Sequence, residues 1–342
     1  MLMDLKANFS FRPLPPIAAP IHLPFPGILD PLGPLKDLPG TWVGTGFNTI
    51  WRPFFPKGPG GEDEFLELNL TSEQIEFAAI SGPIPNRGFL QPDINMFGLT
   101  YLQQISDAVV GGGLHIEPGI WATVPQTTNP AEPPTVVRMA SIPHGTTILA
   151  QGTATAVPSG PQFQPVNINP IPVHGPAVPF EQQNLSQPSA FRSPPAQIVG
   201  ITQAMVNNPN SVLATAIQGQ TITSMTVLQV STTAPPPPTI GGGTSNTAFL
   251  AGGPAGPNAD AVTVSATFWI ENVKGANGAP DFLQLQYTQT VMLVFDEGIK
   301  WPHVTVGTLR KKVPSIVPAA FVDPQMPAEL LARIHADQAP KV

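Results

Sequence analysis

The residues best suited to acid–base chemistry are His115 and Glu117, which stand two positions apart in the segment LHIEPG. In a β-strand, side chains at this spacing point to the same face. A histidine beside a carboxylate on an inward face can polarise a ligand or move a proton. The alternative is a pair of side chains that satisfy each other and fix the end of a strand.

Tyr101 and Arg87 extend this candidate catalytic set. Tyr101 is either a proton donor inside a cavity or a buried hydroxyl with a hydrogen-bond partner. Arg87, in the sequence NRG, either clamps a carboxylate or belongs to a tight turn.

His303 is the candidate metal ligand, because it follows Trp301 and Pro302 at the start of a predicted strand. From there its imidazole can point into a barrel. A neutral imidazole ligates iron through one ring nitrogen while a hydrogen bond orients the other. The alternative is a half-buried histidine at a barrel rim, bonded to a backbone carbonyl.

Several catalytic motifs are absent from the sequence. There is no Gly-x-Ser-x-Gly elbow, no phosphate-binding Walker loop, no His-Glu-x-x-His and no dinucleotide fingerprint after a strand. The sequence therefore argues against a hydrolase, a kinase or a nicotinamide-dependent enzyme.

The composition indicates an acidic chain built mainly from extended structure. The 342 residues include 45 Pro, 31 Gly and no Cys, with 42% hydrophobic and 11% charged residues and a formal charge of −7. That charge argues against a nucleic-acid partner, which needs clustered Lys and Arg. The lack of Cys excludes disulfides and fits a cytoplasmic location. We expect no signal peptide and no membrane span, because no apolar run reaches the ~18 residues of a membrane helix.

The elements that position these residues are predicted β-strands. The segment 38–53, LPGTWVGTGFNTIWRP, alternates Trp42 with small residues that include Gly44 and Gly46, as in a strand that opens a small barrel. Regular alternation is cleanest near the other end of the chain, in FLQLQYTQTVMLVF at 282–295. Eight to ten such strands predict an all-β fold, an antiparallel up-and-down β-barrel of the lipocalin or calycin kind, because closure removes exposed sheet edges.

Changes in composition predict five parts of the chain. These are a Pro-rich N-terminal arm at 1–37, the first part of the barrel at 38–156, a Pro/Gly-rich insertion at 157–260, the last barrel strands at 261–311 and a C-terminal tail at 312–342. The insertion is predicted to be mostly coil, with a helix at 201–218 that Pro209 splits and a strand at 221–230. A short helix is predicted at 324–338.

Four segments resemble the nitrobindin-like haem-binding domains of the lipocalin-like, or calycin, group. The segment 38–51 resembles the family's opening Gly-x-Trp-x-Gly-x-Gly strand, and LHIEPG at 114–119 resembles its His-x-Glu-x-Gly segment. SIPHG at 141–145 resembles the next hairpin, and HVTVGTLR at 303–310 resembles the last strand.

The resemblance implies that the barrel binds haem. His303 matches the family's proximal ligand, and His115 and His144 would lie near the distal side. A haem with one open position binds nitric oxide or acts on peroxide.

The resemblance also assigns roles to the first strand. Trp42 is expected to pack beneath Arg310 in a cation–π contact. Gly44 and Gly46 would leave room for a flat ligand beside the strand that His303 leads. Trp51 stands near the family's Tyr-Pro and could fill that room.

Three functions follow from this interpretation. The first is a lipocalin-like barrel that binds a hydrophobic small molecule, with haem as the leading ligand. The second is a cofactor-independent isomerase or cyclase that uses His115, Glu117, Tyr101 and Arg87. The third is a non-catalytic structural or assembly protein, in which the Pro-rich coils support a homo-oligomer.

Overall fold

A computed structural model of the chain describes residues 30–54, 64–142, 145–172, 174–233, 242–247, 251–253, 257–295 and 298–313. His144 and the predicted helix at 324–338 lie outside these described residues.

The described residues are mostly strand. The strands are β1 (Gly40–Pro53), β2 (Glu64–Ala79), β3 (Ile84–Asn86), β4 (Ile94–Asp107), β5 (Gly113–Val124), β6 (Thr127–Thr128), β7 (Ala131–Glu132), β8 (Thr135–Ile142), β9 (Thr146–Val157), β10 (Ile171–Pro172), β11 (Ile222–Ser231), β12 (Gly243–Asn246), β13 (Asp260–Val273), β14 (Phe282–Val294) and β15 (Ile299–Lys311). The α-helices are α1 (Gln203–Asn207) and α2 (Asn210–Ala216), and three single 3-10 turns span Gly33–Leu35, Glu181–Gln183 and Ala276–Gly278.

Ten strands form a closed antiparallel barrel in the order β1-β2-β4-β5-β8-β9-β11-β13-β14-β15. Strand β15 pairs back onto β1, from Trp42 opposite Lys311 to Ile50 opposite His303. The predicted all-β, up-and-down barrel is confirmed. Because closure pairs both sides of each of these ten strands, the barrel has no long unpaired edge among the described residues.

The strand predicted inside the insertion belongs to the barrel. Strand β11 pairs with β9 on one side and with β13 on the other. The helix predicted at 201–218 is two short helices, since Pro209 precedes α2 and the chain leaves helical geometry at Asn208.

The coil between β9 and β11 covers part of the outer surface of the barrel. The indole Nε1 of Trp51 donates to the carbonyl oxygen of Ile168, in the coil, at 2.8 Å. The Gln286 carboxamide donates to the carbonyl of Leu213, in helix α2 of the same segment, at 3.1 Å. Trp51 therefore does not enter the barrel as considered from the sequence. Its neighbours Ile50 and Arg52 face inward, and alternation turns Trp51 outward beneath the coil.

Trp42 has a different cationic partner from the one predicted. The Lys311 amine lies 5.4 Å from the Trp42 ring centroid, whereas the Arg310 guanidinium lies 3.8 Å from the ring centroid of Phe282. The register places Lys311 opposite Trp42 and Arg310 opposite Val43. Since neighbouring side chains along a strand point to opposite faces, Lys311 shares the face of Trp42 and Arg310 does not. Lys311 also donates to the carbonyl of Asp37 at 2.7 Å.

Candidate functional site

A cavity of about 480 Å³ lies at one end of the barrel. Its walls are mainly apolar and include Ile50, Ile105, Leu114, Ile142, Val291 and Leu293. Polar side chains line it toward the middle of the barrel, namely Asn48, Gln103, His115, Tyr287, Gln289, His303 and Thr305. These groups come from strands far apart in sequence, which barrel closure brings to one cavity.

A fully buried ion pair lies behind the polar end of the cavity. The Arg138 guanidinium donates to Oε1 of Glu117, and the two side chains are 1% and 0% exposed. The rings of Tyr101, Trp121 and Phe268 surround the guanidinium, with centroids 5.2 to 5.9 Å from its central carbon.

The protonation states of this cluster follow from its contacts. Burial alone would raise the pKa of Glu117, but the cation of Arg138 and hydrogen bonds from His115 and Tyr101 lower it to about 2. Glu117 is therefore ionised near neutral pH. Burial raises the pKa of the Tyr101 phenol well above its usual range, so this hydroxyl stays neutral and donates to Glu117.

The buried ion pair connects two side chains that line the cavity. Nε2 of His115 lies 3.2 Å from Oε2 of Glu117. On the other side, Arg138 donates to Oε1 of Gln289 at 2.5 Å. His115, Glu117, Arg138 and Gln289 thus form one chain of contacts that starts and ends at the cavity wall.

A second buried carboxyl lies behind Tyr287. The Tyr287 hydroxyl donates to Oε2 of Glu73 at 2.7 Å and accepts a hydrogen bond from Gln103 at 3.0 Å. Thr71 donates to the other oxygen of Glu73 at 2.7 Å. Burial raises the pKa of Glu73, against these hydrogen bonds, which lower it.

Gly46 does not make room for a flat ligand. It lies opposite Gly307, and a Cβ atom at Gly46 would stand 2.6 Å from Oε1 of Glu73. A Cβ atom at Gly307 would stand 2.6 Å from the Tyr287 ring and 2.9 Å from Oε2 of Glu73. The glycines therefore accommodate the buried Glu73 and Tyr287. Gly44 likewise faces the backbone of Thr308, and neither Gly44, Gly46 nor Trp42 lines the cavity.

His303 lines the cavity from the middle of β15. Its Nε2 lies 2.7 Å from Oδ1 of Asn48, whose Nδ2 donates to Asn69. Since that amide oxygen is an acceptor, His303 carries its proton on Nε2 in this contact. Thr305 donates to the same oxygen at 2.9 Å.

The four candidate catalytic residues do not all meet. His115 lines the cavity, whereas Glu117 and Tyr101 lie buried behind it. Arg87 directly follows strand β3, in the loop that leads to β4, where its exposed side chain faces Asp93 at 3.5 Å. NRG therefore ends a strand and enters a loop, and Arg87 does not line the cavity.

Glu73, Gln289 and Arg138 are site residues that were not predicted from the sequence. The available signal was polar character at inward positions of apolar strands: Arg138 interrupts TVVRMAS, and Gln289 interrupts YTQTVML. A buried polar residue requires a partner, and such partners become evident only when the barrel closes.

Other kinds of site find no support in the part of the chain that is described. No three His, Asp or Glu side chains come together there as metal ligands. Neither of its two short α-helices has the length or apolar character needed to cross a bilayer.

No family model matches the sequence, and no curated protein matches it. Among solved structures, the chain is similar to Rv2717c from M. tuberculosis, with 14% sequence identity and a TM-score of 0.39. That alignment covers 84% of this chain and 99% of the other.

Proposed function

We propose that this protein binds a mainly apolar small molecule inside its barrel. The cavity of about 480 Å³ carries this proposal, because its size falls within the range of small-molecule sites and most of its wall area is apolar. The polar groups at its inner end would orient the ligand, since a few placed hydrogen-bonding groups in an apolar pocket provide specificity.

Haem, which the sequence resemblance favours, fits these residues poorly. The Nε2 nitrogen of His303 lies 2.7 Å from Oδ1 of Asn48 and would have to leave this contact to ligate iron. Arg52 is the one Lys or Arg among the described cavity-lining residues, and it is already paired with Glu67 at 2.7 Å. The carboxylates of a haem would therefore have no unpaired lining cation to meet.

A fluorescence titration tests the proposal with phenylnaphthylamine, a neutral apolar probe that becomes bright away from water. Ala261 lines the cavity and is buried, so Ala261→Phe would fill part of it. The neighbouring Val262 is 38% exposed and does not line the cavity, so Val262→Phe is the matched control.

We expect saturable binding in the native protein and in Val262→Phe, and at least tenfold weaker binding in Ala261→Phe. Equal affinity in all three proteins would contradict binding inside the barrel. The haem alternative is tested in parallel by adding haem and recording the Soret band. A band that is lost in His303→Ala would assign the cavity to haem instead.

An isomerase is the second candidate, because His115 lines the cavity with an ionised carboxylate behind it. Such a pair can act as a general base: the imidazole would take a proton from the carbon beside a carbonyl and return one to a different carbon. The electrons would pass through an enolate, so no oxidant or reductant is needed.

Deuterium exchange into an aliphatic ketone in heavy water tests this second candidate. Exchange should be faster with native protein than with His115→Phe. The control is His174→Phe, at an exposed position in coil that does not line the cavity. Identical exchange rates for the native protein and His115→Phe would exclude this chemistry.

A further inference from the structure

The carboxamide of Gln289 is oriented by Arg138. Gln289 is 9% exposed, and its Oε1 accepts from the Arg138 guanidinium at 2.5 Å. Arginine has only donors, so the oxygen of the carboxamide must face it and the nitrogen must face away. Arg138 is itself held by Glu117 and by the surrounding rings, which fixes the direction of the amide.

The Gln289 nitrogen is available to a ligand. Among the described residues this nitrogen has no hydrogen-bond partner. It is also absent from the fully buried polar atoms that lack a partner, so it is accessible to solvent. Gln289 lines the cavity, so the accessible space that its nitrogen reaches is the cavity itself. Two N–H donors at the inner end of an apolar cavity favour an occupant that supplies an oxygen acceptor there.

The charges around this position favour a neutral acceptor over a carboxylate. The positive charge of Arg138 is balanced by Glu117, and Glu73 places a second carboxyl behind Tyr287. Arg52 is paired with Glu67. A carboxylate would therefore meet no unbalanced lysine or arginine in the described wall, and an ammonium group could accept no hydrogen bond from Gln289.

We infer that the inner end of the cavity is a carbonyl-binding subsite, in which Gln289 donates to the oxygen of a neutral, mainly apolar ketone, ester or amide. Arg138 is the positioning residue, acting through Gln289. This inference rests on the proposed function and names its ligand class.

Three probes with similar alkyl tails test the inference by calorimetry at pH 8: methyl octyl ketone, decanoate and decylamine. The ketone should bind at least tenfold more tightly than the other two. With a ¹³C-labelled carbonyl, its resonance should move downfield from the position in a hydrocarbon solvent, as for a hydrogen-bonded carbonyl. A resonance at the hydrocarbon position would overturn the subsite without requiring any variant.

Gln289→Met tests the donor while keeping side-chain length. Loss of one hydrogen bond should weaken ketone binding about tenfold and abolish the ¹³C shift. Gln286→Met is the matched control, because Gln286 is a buried glutamine on the same strand that bonds to Leu213 and Thr308 and does not line the cavity. Equal ketone affinity in native protein and Gln289→Met would overturn the inference.

The two proposals fail in different ways. If phenylnaphthylamine enters the cavity but decanoate or decylamine binds as well as the ketone, the carbonyl subsite is overturned and the proposed function stands. If neither phenylnaphthylamine nor the ketone binds, both the carbonyl subsite and the proposed function are overturned.

Discussion

The carboxylate of Glu117 and the guanidinium of Arg138 form an ion pair sealed inside the barrel, with 0% and 1% of the side chains exposed. Taking two charges out of water costs several kcal/mol per ion, and additional hydrogen bonds to the two charged groups must offset this cost. Tyr101, His115 and Gln289 supply those bonds. Two of these three side chains line the cavity, so the buried ion pair orients part of the candidate site.

Replacing Glu117 by Gln should be strongly destabilising. The change leaves a buried guanidinium without its counter-ion, which typically costs about 3–5 kcal/mol. Glu67→Gln is the control, because its partner Arg52 is 41% exposed and such pairs contribute about 1 kcal/mol or less. Urea unfolding at pH 7 measures both losses, and equal losses would show that the buried pair has no special role.

Glu271 should make the fold less stable as pH rises. Burial raises its pKa to about 7, against a hydrogen bond from Gln284 that lowers it. The folded state therefore favours the neutral carboxyl. Its contribution to the free energy of unfolding is fully present at pH values below the ordinary pKa of 4.5 and is lost as pH rises to about 7.

Glu271→Gln should therefore raise the melting temperature more at pH 8 than at pH 5. At about 1.4 kcal/mol per pKa unit, the gain at pH 8 is at most about 3–4 kcal/mol. Thermal unfolding at the two pH values measures it. The same change in melting temperature at both would disprove the raised pKa.

Gly307→Ala should destabilise the barrel. The added methyl group would stand 2.6 Å from the Tyr287 ring and 2.9 Å from Glu73, so we expect a loss of about 1–3 kcal/mol. Gly113 is a strand glycine with open space around it, so Gly113→Ala should change stability much less. A Gly307→Ala protein as stable as Gly113→Ala would mean that Glu73 and Tyr287 do not occupy the space beside Gly307.

The barrel was predictable from the sequence because alternation of apolar residues is a local property of each strand. The partner of Trp42 was not: Lys311 and Arg310 are adjacent cations, and only the register of the closing strands decides which one faces the ring. Alternation also placed His115 and Glu117 on one face, and the contact between them follows from it.

The rest of the site depends on long-range pairing. Arg138 meets Gln289 across 151 residues of sequence, and Tyr287 meets Glu73 across 214. No local pattern encodes such contacts. The coil that covers Trp51 was unpredictable for a related reason, since it has no periodicity and its position depends on the barrel surface beneath it.

The most direct test of ligand binding inside the barrel is methyl NMR of the native protein titrated with phenylnaphthylamine. The probe should shift the methyl resonances of Ile105, Val291 and Leu293, which line the cavity. Shifts confined to the exposed methyl groups of Leu90, Val110 and Val199 would contradict binding inside the barrel, because the probe would then bind only to the outer surface.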